Sequence, residues 1–172
     1  ITTKRGEIGK PKITINFNEG INQPTRIPEM CNAVEYATLL NEVDYYNNRQ
    51  PRFTSDDIAK FTDGSDPWSH PDTDWFKEVL RPWARQNYMN ANLDGGTERI
   101  KYFVSFGTKF QDGYFYNSSA NYKQYDFLSN ITGTITENIS IRVDISGRIE
   151  NKGSPNNGVT NVIGFVMRGF PT

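Results

Sequence analysis

"ERIKYFVSFGTKF" (residues 98–110) alternates along most of its length. Ile100, Tyr102, Val104, Phe106 and Phe110 fall on one side of an extended chain, and Arg99, Lys101, Ser105, Gly107 and Lys109 on the other. A period of two is the mark of a strand with one apolar and one polar face. The fold turns on what the apolar face touches, a protein core or lipid.

The pattern recurs. "KITINFN" (12–18) sets Ile13, Ile15 and Phe17 against Thr14, Asn16 and Asn18. "YKQYDFLSNITGTIT" (122–136) sets Tyr125, Phe127, Ile131 and Ile135 against Gln124, Asp126, Asn130, Thr132 and Thr134. "ISIRVDISGRI" (139–149) sets Ile139, Ile141, Val143, Ile145 and Ile149 against Ser140, Arg142, Asp144, Ser146 and Arg148. "RQNYMNANLD" (85–94) alternates more faintly through Met89, Ala91 and Leu93. Five strands are predicted, over about 11–19, 84–94, 98–111, 122–136 and 139–150. Gly95-Gly96 reads as a two-residue hairpin loop that pairs Ala91 with Ile100 and Met89 with Tyr102. A three-residue loop, Thr136-Glu137-Asn138, pairs Ile135 with Ile139, Ile131 with Val143 and Asp126 with Arg148, with Asn138 in the left-handed region. These are up-and-down antiparallel hairpins.

Residues 26–83 interrupt the alternation. "NAVEYATLLNEV" (32–43) opens with Asn32 three before Glu35, a capping-box spacing, and carries Ala33, Tyr36, Ala37, Leu40 and Val43 at helical intervals. "TSDDIAKF" (54–61) repeats that signal with Thr54 and Asp57. "TDWFKEVLRP" (73–82) has a helical face of Phe76, Leu80 and Trp83, capped by Asp72 or Thr73 and ended by Pro82. "RQPRF", "DGSDPWSHPDTD" and "NKGSPNNG" read as loops, and the stretch from 159 is not assigned an element.

The chain has 172 residues, a net charge of −1 and mean hydropathy −0.68, with 13% aromatic residues. A near-neutral balance gives no electrostatic reason for nucleic-acid binding. No apolar run approaches the ~20 residues of a membrane helix, which leaves membrane strands open. Cys31 is the single cysteine, so no internal disulfide forms, and it reads as a small buried loop residue. A first residue Ile1 points to processing or to a piece of a longer protein.

Strands of this length exceed the ~5–6 residues typical of soluble sheets and suit tilted membrane strands. Short turns alternate with long segments (26–83, 111–121, 151 onward), the asymmetry of a barrel. Lys101, Lys109, Arg142 and Arg148 on the polar face suit a watery lumen. A soluble β-sandwich acting as a carbohydrate-binding module is the alternative, and a hydrolase a distant third. These features favour an all-β fold class: part of a transmembrane β-barrel of antiparallel up-and-down strands, with a long loop that contains short α-helices. Five strands cannot close a plugged barrel, which needs ~22. The lipid-facing set is Ile13, Ile15, Phe17, Ile100, Tyr102, Val104, Phe106, Ile131, Ile141, Val143 and Ile145.

"ITTKRG" (1–6) followed by "GKPKITINF" (9–17) resembles the junction of plug and first barrel strand in the SusC/RagA family of TonB-dependent (TonB-linked) outer-membrane transporters. "NAVEYATLLNE", "DGSDPWSHPDTDWFKEVL", "NANLDGGTERIKYFVSFGTKFQDGYF" and "YKQYDFLSNITGTITENISIRVDISGRIE" resemble that family in the same order. Asp94 stands where the family commonly has serine. The resemblance implies that residues 1–8 end a plug domain and 9–172 begin the barrel, which makes the helical loop at 26–83 extracellular. It further implies nutrient import, of oligosaccharides or peptides, across the bacterial outer membrane. The partners it implies are lipid, a SusD-like surface lipoprotein, and TonB through upstream parts outside this chain. Neither an enzyme activity nor a cofactor is implied.

Other chemistry is weakly signalled. Asp63, Asp66, Asp72 and Asp74 lack the regular ligand spacing and closing Glu of an EF-hand. His70 is the single histidine, which leaves no histidine metal cluster or Ser/His/Asp triad. Trp68, Trp75 and Trp83 are the candidates for stacking on a substrate, against the plainer reading that they pack a loop's own small core. Asn117, Asn130 and Asn138 match glycosylation sequons, read as accidental in an outer-membrane protein.

Overall fold

The computed structural model describes residues 4–172. Five strands, β1 (Gly9–Asn22), β2 (Ala84–Gly96), β3 (Ile100–Asp112), β4 (Asn121–Thr136) and β5 (Ile139–Lys152), form one antiparallel sheet in the order β1-β2-β3-β4-β5. Each strand pairs with its neighbours in sequence, and β1 and β5 are the edges.

The register keeps the two faces apart across the sheet. One row runs Ile13–Leu93–Val104–Ser129–Ile145, and the next Ile15–Ala91–Phe106–Phe127–Gly147. The opposite face has rows Lys12–Asp94–Phe103–Asn130–Asp144 and Asn16–Asn90–Gly107–Asp126–Arg148. Period-two sequences stacked without an odd slip give this result.

The hairpin joining β2 and β3 departs from the sequence reading. Gly95 and Gly96 are strand residues opposite Tyr102 and Lys101, and the chain turns at Glu98-Arg99, closed by a Thr97 N–H to Ile100 carbonyl bond of 2.7 Å. Ala91 therefore faces Phe106 and Met89 faces Thr108. The displacement is an even number of residues, so every side chain keeps its face. The β4–β5 turn holds Ile131 opposite Val143 and Asp126 opposite Arg148, as read. Its tip differs: Thr136 pairs Ile139, an irregularity leaves Ile135 out of the ladder, and Asn138 is not left-handed.

A second compact unit is built from residues 24–82, 115–117 and 155–172. Helix α1 (Ala33–Tyr46) starts at a capping box in which Asn32 accepts from Glu35 N–H and Glu35 from Asn32 N–H. Helix α2 (Ser55–Asp63) uses Thr54 and Asp57 in the same way. Ala33, Ala37 and Phe61 form its small core, with Val34, Phe53 and Ile58 against it. Asp44 is buried in α1, held by Arg52 at 2.7 and 3.2 Å. Pairing and hydrogen bonding are what make such a burial tolerable.

Helix α3 is short, Trp75–Val79, and its cap is Asp74, which accepts from the N–H groups of Phe76 and Lys77. The predicted caps do other work or none at this end: Asp72 accepts from Ala33 N–H at 2.8 Å, at the start of α1. The helix ends before Pro82, because Leu80 is already extended and bridges Phe115. Helix α4 (Val159–Arg168) occupies the stretch that the sequence left unassigned. Cys31 is exposed rather than buried, since residues 24–32 lie outside any helix or strand and do not enclose it.

Candidate functional site

In the sheet unit the candidate site is a surface. Of the predicted lipid-facing residues, Ile13, Ile15, Phe17, Ile100, Phe106, Ile131, Ile141, Val143 and Ile145 are exposed, and Tyr102 and Val104 are half-buried. By register, all of them share one face. That face ends at one polar row, Glu19–Asn87–Phe110–Lys123–Asn151, beside which Arg85 pairs with Glu19 and Lys123 lies over the Phe110 ring at 5.9 Å.

The other face is a hydrogen-bonded polar lattice. Asn92 donates to Asn90 at 2.6 Å, Asn90 to Ser105 at 3.0 Å, and Arg148 Nε to Asp126 at 2.6 Å. Phe103 also lies on this face and is 3% exposed. Lys4 places its ammonium 5.4 Å from the Phe103 ring, and Asn130 Nδ2 donates to the Lys4 carbonyl at 2.6 Å. Gly6 lies directly on the backbone of Tyr102, where a Cβ would overlap. Tyr102 points its side chain to the far face, so its backbone is bare on this one and only glycine comes so close. Ile1–Thr3 of the proposed plug junction lie outside the described residues.

In the helical unit, a cleft of about 1280 Å³ is lined by Met30, Tyr36, Trp75, Tyr116 and Phe170, with Glu29, Lys77 and Arg168 among its charged groups. The three tryptophans are not brought together. Trp75 lines this cleft, Trp68 is 96% exposed and outside its lining, and Trp83 belongs to the sheet unit.

His70 clips a loop to α2: Nε2 is 2.9 Å from Asp57 and Nδ1 3.4 Å from Asp66, with the ring edge-on to Phe61 at 5.1 Å. The hydrogen bond from His70, followed by those from Thr54, holds the Asp57 carboxyl well below the usual carboxylate range. Each aspartate of the acidic stretch has local work: Asp63 accepts from Ser65 N–H, Asp66 from Ser69 N–H, and Asp72 and Asp74 at helix starts. Among the described residues, no three acidic, His or Cys groups converge as a metal site would require.

No protein-family model matches the chain. It is 25% identical over 147 residues to TonB-dependent receptor P3 of Formosa agariphila, covering 86% of the chain and 12% of that protein. It is also 25% identical over 134 residues to TonB-dependent receptor P26 of the same organism, covering 76% and 12%. The chain thus spans about an eighth of these relatives. Among solved structures, the RagAB peptide transporter superposes with a TM-score of 0.67 at 22% identity, over 88% of this chain and 19% of that one. The RagAB peptide importer in its closed-closed state gives 0.67 at 22%, over 90% and 19%. In sequence the chain is thus similar to a part of TonB-dependent receptors, and its strand order and helical insertion share the fold of the corresponding part of the RagAB transporter.

Proposed function

We propose that the sheet is a wall of an outer-membrane barrel that imports nutrients, peptides or oligosaccharides, with a SusD-like surface lipoprotein as partner. The apolar face of the five strands carries this reading. Contiguous exposed apolar surface on this scale is not sustained by water-soluble monomers. From Ile100 to Phe110 the apolar face of β3 runs about 33 Å, which at a ~40° tilt is the ~25 Å height of a barrel's lipid band. The eleven predicted residues are the lipid contact, and the polar face with Lys101, Lys109, Arg142 and Arg148 looks into the lumen. Residues 4–8 end the plug, with Gly6 and Lys4 seated on the lumen wall.

The soluble-sandwich alternative needs a second sheet to cover the apolar face, and all five strands described belong to one sheet. The helical insertion lies at the cell surface in this reading and contributes to the lipoprotein contact. Trp75, in the cleft, is the tryptophan best placed to meet a substrate.

Deleting residues 54–81 from the full-length transporter tests the partner assignment. Lipoprotein co-purification should fall while the barrel keeps its heat-modifiable migration. Undiminished co-purification with an intact barrel would remove the insertion from that contact.

A further inference from the structure

Gly169-Phe170-Pro171 follows α4 and is held by residues almost a hundred positions away. The Trp75 indole N–H donates to the Phe170 carbonyl at 2.7 Å, and the Thr73 N–H to the Pro171 carbonyl at 2.9 Å. The Phe170 ring stacks on Tyr36 of α1 with centroids 5.4 Å apart and planes at 29°. Gly169 passes so close to the indole that a Cβ would lie 2.6 Å from Trp75 Cδ1. These residues also form one wall of the 1280 Å³ cleft.

The geometry points to a strap: Gly169–Pro171 holds the start of α3 to α1, and the cleft wall opens only when strap and α3 release together. Three observations support a single unit. Both hydrogen bonds go to backbone carbonyls, so they fix the path of the segment regardless of its side chains. They are donated by Thr73 and Trp75, which flank Asp74, the cap of a five-residue helix. A helix that short has no independent stability and depends on what it is packed against. Freeing the strap therefore loosens α3, whose other tie to α1 is the Asp72–Ala33 bond, and the segment that leaves β5 becomes mechanically linked to the insertion between β1 and β2.

Hydrogen exchange read by mass spectrometry on the full-length protein in detergent tests this. Trp75→Phe keeps an aromatic ring but removes the donor, and Gly169→Val drives a side chain into the indole. Loss of one net hydrogen bond should speed exchange about fivefold in peptides covering 73–80 and equally in those covering 159–172. Gly169→Val should exceed that in both, with β3 and β4 peptides unchanged. Faster exchange confined to 159–172 would overturn the strap, since the segment would then peel away without releasing α3. Faster exchange spreading through β3 and β4 would overturn it too, because the variant would have loosened the sheet. A Trp75→Phe, Phe170→Ala double variant should show less than the sum of the two single effects, as contacts within one unit do. Strict additivity would count against the unit.

Discussion

Val104 and Ser105 are consecutive and lie on opposite faces of the sheet. Val104 sits between Leu93 and Ser129 on the apolar face, and Ser105 between Asn92 and Leu128 on the polar face. Arginine near the midplane of a barrel's lipid face costs about 2–4 kcal/mol. Val104→Arg in the full-length protein should therefore lower stability by about that amount in bilayer refolding titrations. Ser105→Arg should cost much less, because Lys101 and Lys109 already occupy its face. Equal losses would remove the lipid assignment, and a worse Ser105 variant would mean the faces are exchanged. This distinction was legible from the sequence because it depends only on parity. Cys31 was not: a lone cysteine has no periodicity, and its exposure follows from an irregular segment that leaves it uncovered.

Among the elements, α2 and its clipped loop carry a pH signature. Asp57 has its pKa depressed in the folded state, first by the His70 hydrogen bond. A depressed carboxylate stabilises fully above its unfolded pKa of ~3.9 and loses that contribution as pH falls toward the folded value. Asp66 faces the other ring nitrogen, and Lys60 is paired with Asp56 on the same helix. Protection of residues 54–71 from a protease active in acid should hold at pH 5 and fall below about pH 4. His70→Ala removes the largest cause of the depression, so it should lower protection at pH 5 and flatten the loss below pH 4. An unaltered acid profile in that variant would show that His70 does not set the Asp57 carboxyl. Strands and the first two helices could be read from period and capping boxes. The β2–β3 turn could not, because Gly95-Gly96 is as good a local hairpin signal as the tighter Glu98-Arg99 turn that forms. Helix α4 has glycine at its N-cap and no side-chain cap bond, so no start signal marks it. Its packing partners, and those of the strap, come from distant parts of the chain.

At the scale of the whole molecule, the proposed sidedness puts the Glu98-Arg99 and Glu137-Asn138 turns in the periplasm and the helical unit outside the cell. In intact cells, Ser69→Cys should react with an impermeant thiol reagent and Glu137→Cys should not. The native Cys31 is itself exposed, so both belong in a Cys31→Ser background. Labelling at 137 alone would invert the topology. The two faces of the sheet were legible, whereas the assembly of residues 24–82, 115–117 and 155–172 into one unit was not, since periodicity carries no information about which loops meet.

From β2 onward every strand pairs with the one just before it in sequence, and only the β1–β2 pairing has to close across the helical insertion. Loop closure is cheap for the neighbours β2 to β5, and such an order lets that part of the ladder zip as the chain is delivered. The same order leaves a growing edge at every step, a row of unpaired N–H and C=O groups that on β5 is flanked by Ile139, Ile141, Ile145 and Ile149. In water that edge is a template for association with another copy. The consequence is a demand on timing. The nascent wall must be kept apart from its own kind until the β5 edge is covered, and lengthening the exposure of that edge should produce aggregates before it produces any loss of secondary structure.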